Sequence, residues 1–177
     1  MIKKGDWIAM NQKTMCFSGH RPKGLPWKGD ERDERCEKLV GVINAILEEK
    51  IKEGFDYFIS GMAIGVDTLC AEAVLRLREV YPQIKLECAL PCVDQTEKWH
   101  DEQIERYSEI LKKADKVYYS SDKEYFRDCM NLRNKYMVDN SDLLLAVWNG
   151  KKGGTANTVK YARKKEKEVV IINPDTF

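Results

Sequence analysis

Three turns in this chain put small residues where a backbone can close on an anion. Ser60-Gly61-Met62-Ala63-Ile64-Gly65-Val66-Asp67 follows the apolar run Phe55 to Ile59 and opens an amphipathic stretch. Asn149-Gly150-Lys151-Lys152-Gly153-Gly154-Thr155 follows the apolar run Leu143 to Val147. Earlier, Met15-Cys16-Phe17 runs into Ser18-Gly19-His20-Arg21-Pro22. Small residues let backbone N–H groups approach a ligand closely, and a helix dipole adds partial positive charge at the same place. Phosphate is the natural guest of such a turn. The plainer role is a tight turn needed only to pack helix on strand.

Side chains near these turns suggest how a nucleotide could be held. Arg21 offers a planar fork suited to bidentate phosphate contact, or else a surface salt bridge. His20 could donate to phosphate or act as a base, although a histidine beside a turn is more often a local hydrogen-bond partner. Asp67, early in its helix, can bond ribose hydroxyls or simply interact with the dipole. Trp27 and Trp99 could stack on a base, and lid or core packing is the reading taken for both. Lys151 and Lys152 could neutralise phosphate or be merely solvated. Helix periodicity and strand alternation account for Glu72 and Glu87. The chain has no G-x-x-x-x-G-K-[ST] motif, so ATP hydrolysis by a P-loop has no support.

The elements that must position these residues follow from apolar spacing. Cys36, Leu39, Val40, Ile43, Ile46 and Leu47 recur at helical steps between Arg32 and Glu53, and Gly54 stops that helix. Phe55 to Ile59 is a strand, and Val66, Leu69, Cys70, Ala73, Val74 and Leu77 stripe the next helix, ended by Tyr81-Pro82. Ile84 to Leu90 is a strand broken by Pro91. Trp99, Ile104, Tyr107 and Leu111 mark a third helix, with the strand Lys116 to Tyr119 after it. Arg127 to Asp139 reads as helix, Leu143 to Val147 as a strand buried on both faces, Thr155 to Lys165 as helix and Val169 to Ile172 as the closing strand. This alternation predicts an α/β fold: a Rossmann-like three-layer sandwich with a mostly parallel sheet. In such a sheet ligands bind beyond the carboxyl ends of the strands, most often where strand order reverses, and all three turns fall on that edge.

Composition narrows the function classes. With 177 residues and no linker-like stretch, one domain is expected over 14–177, with 1–13 as an extension unlike the rest. A formal net charge of +1 leaves no global field to hold nucleic acid or an anionic membrane, so anion binding must be local. The apolar runs are too short to span a bilayer and the start lacks a signal-peptide core, which predicts a cytoplasmic location. The six cysteines include no C-x-x-C pair and read as buried thiols of a reducing compartment. With only two histidines, His20 and His100, a metal cluster is not expected.

The motifs together resemble the SLOG superfamily and, within it, the YpsA-like family. Ser18-Gly19-His20-Arg21-Pro22 with Leu25-Pro26-Trp27 is similar to that family's opening. Ser60 to Asp67 is similar to a motif shared with the DNA-processing protein A family, and Gly153-Gly154-Thr155 resembles the superfamily's phosphate loop. Met130-Asn131-Leu132-Arg133-Asn134-Lys135-Tyr136-Met137 resembles the M-x-x-R-K-x-x-M helix of the lonely-guy phosphoribohydrolases. Arg133 matches their functional arginine, and Asn134 stands in place of the lysine. Their glutamate, three residues after the glycine-threonine pair, is here Thr158. A threonine cannot serve as a carboxylate base or stabilise an oxocarbenium-like centre.

The resemblance implies a protein that binds or senses a nucleotide or nucleotide-derived ligand, such as ADP-ribose or a dinucleotide. A nucleoside 5'-monophosphate phosphoribohydrolase is the second reading and DNA-processing-type nucleic-acid binding the third, disfavoured by the near-neutral charge. The ligand-binding residues expected are Ser18, Gly19, His20, Arg21, Ser60, Gly61, Gly65, Asp67, Arg133, Asn134, Asn149, Gly150, Gly153, Gly154 and Thr155. No catalytic residue, metal ligand or resident cofactor is assigned. Homo-oligomers are common among the proteins it resembles, and the sequence leaves open whether two chains pair.

Overall fold

A computed structural model describes residues 12–177 of the chain. Most of the extension expected over 1–13 therefore lies outside the described residues, and its last member, Lys13, begins the first strand. The elements run β1 (Lys13–Gly19), α1 (Glu34–Lys52), β2 (Phe55–Ser60), α2 (Val66–Arg78), β3 (Lys85–Leu90), α3 (Asp101–Lys113), β4 (Lys116–Tyr119), α4 (Cys129–Asp139), β5 (Leu143–Val147), α5 (Gly154–Lys164) and β6 (Glu168–Ile172).

Local chemistry sets the ends of these elements. The Asp33 carboxylate accepts from the Arg35 N–H at 2.9 Å and caps α1, and Gly54 leaves it at a φ of +97° that a side chain would strain. Cys36, Leu39, Ile43, Leu47 and Ile51 are the buried stripe between. Each large aliphatic residue of that stripe contributes about 1.5–3 kcal/mol by leaving water. A carboxylate in place of Ile43 would be buried without a partner. Two helix starts come later than periodicity suggests. Trp99 precedes α3, which starts after His100, where the backbone N–H donates to Gln103 Oε1 at 3.1 Å. Arg127 likewise precedes α4.

The strands form one sheet in the order β4-β3-β2-β1-β5-β6, and every neighbouring pair is parallel. Helices α1, α2 and α3 pack together on one face, over a core that includes Phe17, Phe58, Leu39 and Leu145. On the other face α4 packs on α5 over Cys16, Ile59, Met137, Leu144 and Val159. The result is the three-layer α/β arrangement that the alternation requires. β5 is buried along its whole length because it lies between β1 and β6 under a helix layer on each face.

From β1 the chain steps outward through β2, β3 and β4, then returns to add β5 on the other side of β1. Strand order thus reverses between β1 and β5. The connections leaving their carboxyl ends diverge to opposite faces and leave a crevice, the usual ligand position in such sheets.

Candidate functional site

The crevice at that reversal has a volume of about 210 Å³. Ser18, Gly19, His20 and Arg21 enter it from the end of β1, Ala63 from the β2–α2 turn and Asp67 from the first turn of α2, Met130, Arg133 and Asn134 from α4, and Gly154 and Thr155 from the start of α5. Four segments distant in sequence therefore meet beside β1 and β5. Ala63 and Met130 were missed from sequence, because an alanine and a methionine carry no chemical signal of their own.

The turn between β5 and α5 is the open one. Gly153 is the N-cap of α5 and supplies no side-chain cap, so the leading N–H groups of the helix keep their donor capacity. A Cβ at Gly150, Gly153 or Gly154 would meet nothing within 4 Å. Nothing in the fold needs these positions empty, so the space in front of the α5 terminus is free for a ligand. Gly153, at a φ of +150°, also lets the chain turn into the helix in a conformation side chains rarely adopt.

Glycines of the other two turns serve a different end. Gly65 has a φ of +100°, and a Cβ on it would come within 2.8 Å of the His20 carbonyl oxygen and 3.2 Å of Arg21 Cα. A Cβ on Gly19 would collide with Val66, and one on Gly61 with the Arg133 guanidinium. Ser60 is buried, its hydroxyl donating to the Asp67 carbonyl at 2.9 Å and accepting from the Met62 N–H at 3.2 Å. Ser60, Gly61 and Gly65, expected in the ligand shell, do not line the crevice; they pack the β1 and β2 turns against each other and against α4. Asn149, Gly150 and Gly153 also stand outside its lining.

His20 behaves as a strut. Its Nε2 accepts from the Asn149 N–H at 3.3 Å, which ties the β1 turn to the β5 turn. Asn149 holds its own loop, with Nδ2 donating to Asp175 at 3.1 Å and Oδ1 accepting from the Lys151 N–H at 3.3 Å.

Two opposite charges lie buried in the crevice wall. Arg133, only 4% exposed, donates through Nη1 to the Gly61 carbonyl and, at 3.4 Å, to that of Ala89. Its Nε donates to Asn134 Oδ1 at 2.8 Å. Asp67, 6% exposed, accepts from the Ala63 N–H at 3.3 Å. Burial pushes the Asp67 carboxyl above its ordinary value, while Arg133, that N–H and Arg21 pull it back. Burial likewise lowers the Arg133 guanidinium, opposed chiefly by Asp67. Arg21, at the lip, is exposed.

The arrangement can bind an anion and a hydroxyl together. Helix N–H groups and Arg21 offer donors to phosphate, and the Asp67 carboxylate offers an acceptor to a sugar hydroxyl. Neither crevice hydroxyl, on Ser18 or Thr155, is hydrogen-bonded to a base among the described residues. Thr158 donates through Oγ1 to the Gly154 carbonyl at 2.9 Å and lines a separate groove. Beyond Arg21 and Met130 a second hollow of about 460 Å³ is lined by Trp99 and Tyr125. Trp99 is held edge-to-face by Tyr107 at 5.4 Å, whereas Trp27 is buried in the core. Among the described residues no group of three or more His, Cys, Asp or Glu is placed to hold a metal ion. Also among them, no helix is long and apolar enough to cross a membrane.

Comparison with other proteins agrees with the fold. UPF0398 proteins of Bacillus thuringiensis (strain Al Hakam) and Bacillus cereus (strain Q1) are each 29% identical over 159 residues, covering 89% of this chain and 85% of theirs. Among solved structures, DNA processing protein A of Helicobacter pylori, described for its single-stranded DNA binding mode, superposes with a TM-score of 0.61 at 17% identity. It covers 91% of this chain, which spans 65% of that one. DNA processing protein A of Streptococcus pneumoniae gives a TM-score of 0.63 at 13% identity over 92% of this chain, which spans 50% of that one. At these identities the likeness is one of fold. The family model YpsA, described as the YspA SLOG family, matches residues 15–177. The chain therefore belongs to the YspA SLOG family.

Proposed function

We propose that the protein binds a nucleotide or nucleotide-derived ligand, such as ADP-ribose or a dinucleotide, in the crevice between β1 and β5 and acts as a sensor of it. One observation carries the reading: the uncapped start of α5 and the buried Asp67 carboxylate line the same crevice. Phosphate meets the helix N–H groups and Arg21, the ribose meets Asp67, and the base extends toward Trp99. A site for phosphate alone would have no use for a buried carboxylate, which repels it.

Cleavage of the base–ribose bond has less support. Thr158 stands where the phosphoribohydrolases carry a carboxylate, and its hydroxyl is committed to Gly154. Single-stranded DNA, bound by DNA processing protein A of Helicobacter pylori, is the third candidate, and a net charge of +1 gives it little sequence-independent attraction. Mass spectrometry of small molecules released from the purified, gently denatured protein tests the reading. A stoichiometric nucleotide is expected. Purified protein that carries none and binds none of a nucleotide panel in calorimetry contradicts it.

A further inference from the structure

The walls beyond the two ends of the crevice carry opposite charge. Toward Trp99 and Tyr125 the hollow is edged by Asp94, Glu97 and Glu124, with Arg21 and Lys98 as the cations. At the opposite end, past Asn134, a groove of about 460 Å³ runs between α4 and α5. Its lining includes Lys135, Lys160 and Lys164 and contains no acidic residue. Asn157, Lys160, Tyr161 and Lys164 fall at i, i+3, i+4 and i+7 and so share one face of α5, across from Lys135 on α4. None of the three lysines forms an ion pair among the described residues, although lysines on α1, α3 and β4, and Lys165 just after α5, do.

Resting on the nucleotide reading above, we infer that the α4–α5 groove is a second anion subsite, which takes a further phosphate of the ligand whose first phosphate sits at the start of α5. Charge fixes the direction of that ligand. A phosphate chain pointing toward Asp94, Glu97 and Glu124 would be repelled, whereas the uncompensated lysines attract it. The aromatic end suits an uncharged base, whose stacking is indifferent to the acids around it. The ligand class is a nucleoside carrying two or more linked phosphates, and Asn134, common to crevice and groove, marks the passage between them.

The test is calorimetric titration of the full chain with adenosine 5'-monophosphate and adenosine 5'-diphosphate. The comparison is with a Lys160→Glu/Lys164→Glu variant shown by circular dichroism to be folded. In the native protein the diphosphate is expected to bind about tenfold more tightly, as one added charge-assisted contact provides. The variant should lose that preference and keep its affinity for the monophosphate. Equal affinities in the native protein, or a preference the variant retains, would overturn the second subsite while leaving the crevice reading intact. Failure of the native protein to bind either nucleotide would overturn both. A fluorescent single-stranded oligonucleotide whose binding alone responds to the lysine changes would assign the groove to nucleic acid and overturn the inference.

Discussion

Gly61 has no side chain where the guanidinium of Arg133 lies, and its carbonyl accepts from that guanidinium. A glycine that reads as part of a phosphate cradle is thus the seat of a buried arginine, which in turn forms the crevice wall. Gly61→Ala should push Arg133 aside and cost about 1–3 kcal/mol through overpacking. At this chain length that is a fall in melting temperature of roughly 2–12 °C by calorimetry. An unchanged melting temperature would mean that Arg133 has somewhere else to go.

Arg133→Ala leaves the Gly61 and Ala89 carbonyls without this donor and opens a void in the wall. A stability loss of about 1–3 kcal/mol is expected in the ligand-free protein, together with weaker nucleotide binding. A variant that melts like the native protein and loses only nucleotide would make Arg133 a direct ligand group with no structural role.

Asp67→Asn separates stability from binding. A carboxyl whose folded value is raised gives stability that is full below its unfolded value and is lost as pH rises through the folded one. Burial raises Asp67 in this way. The native protein should therefore lose stability relative to the variant as pH rises from the ordinary carboxylate value through the raised one. Near neutral pH the variant should be the more stable when ligand-free, and it should bind nucleotide and nucleoside more weakly, since the lost contact is to ribose. Melting curves across pH, with and without ligand, test this; parallel stability profiles for the two proteins would contradict it.

All six cysteines are free and buried, and burial pushes Cys16, Cys88 and Cys92 up to about 12 and Cys36 to about 11. Since the thiolate is the reactive form, native protein at pH 8 should react with a thiol reagent far more slowly than the denatured chain, which should titrate as six thiols. A thiol that reacts at once in the native state would show a cysteine poised for chemistry.

A control away from the crevice is Glu87, which is 2% exposed and accepts from the Tyr57 and Tyr136 hydroxyls at 2.7 Å each and from Lys116 at 3.2 Å. Glu87→Ala strands these donors and should cost about 1–3 kcal/mol or more with nucleotide affinity unchanged. Sequence alternation treats this glutamate as an ordinary strand residue. Its role depends on tyrosines from β2 and α4 and a lysine from β4, which only the fold brings together.

The sheet itself was legible because the stripe from Cys36 to Leu47 has the period of a helix, while the unbroken run Leu143 to Val147, too short for a helix and followed by a glycine turn, suits a covered strand. The place of the crevice followed from that alternation. Which glycines serve it did not. Gly61 and Gly154 look alike in sequence, and they differ only in what stands opposite, a guanidinium for one and open space for the other. For His20 the sequence favours a local hydrogen-bond partner without naming one, and the Asn149 N–H against its ring is that partner.

The central claim is that phosphate binds at the start of α5. Its most direct measurement is calorimetric titration of a nucleoside monophosphate into the native protein, Gly154→Ala and Gly154→Asp, each checked for folding by circular dichroism. A Cβ at Gly154 meets nothing within 4 Å beyond its chain neighbours and the backbone of its own helix, so the folds should survive while the ligand's space is entered. Alanine should weaken binding, and aspartate, which adds negative charge at the helix N-terminus, should weaken it by at least tenfold more. Equal and unaltered affinities in all three proteins would place the phosphate elsewhere and contradict the account.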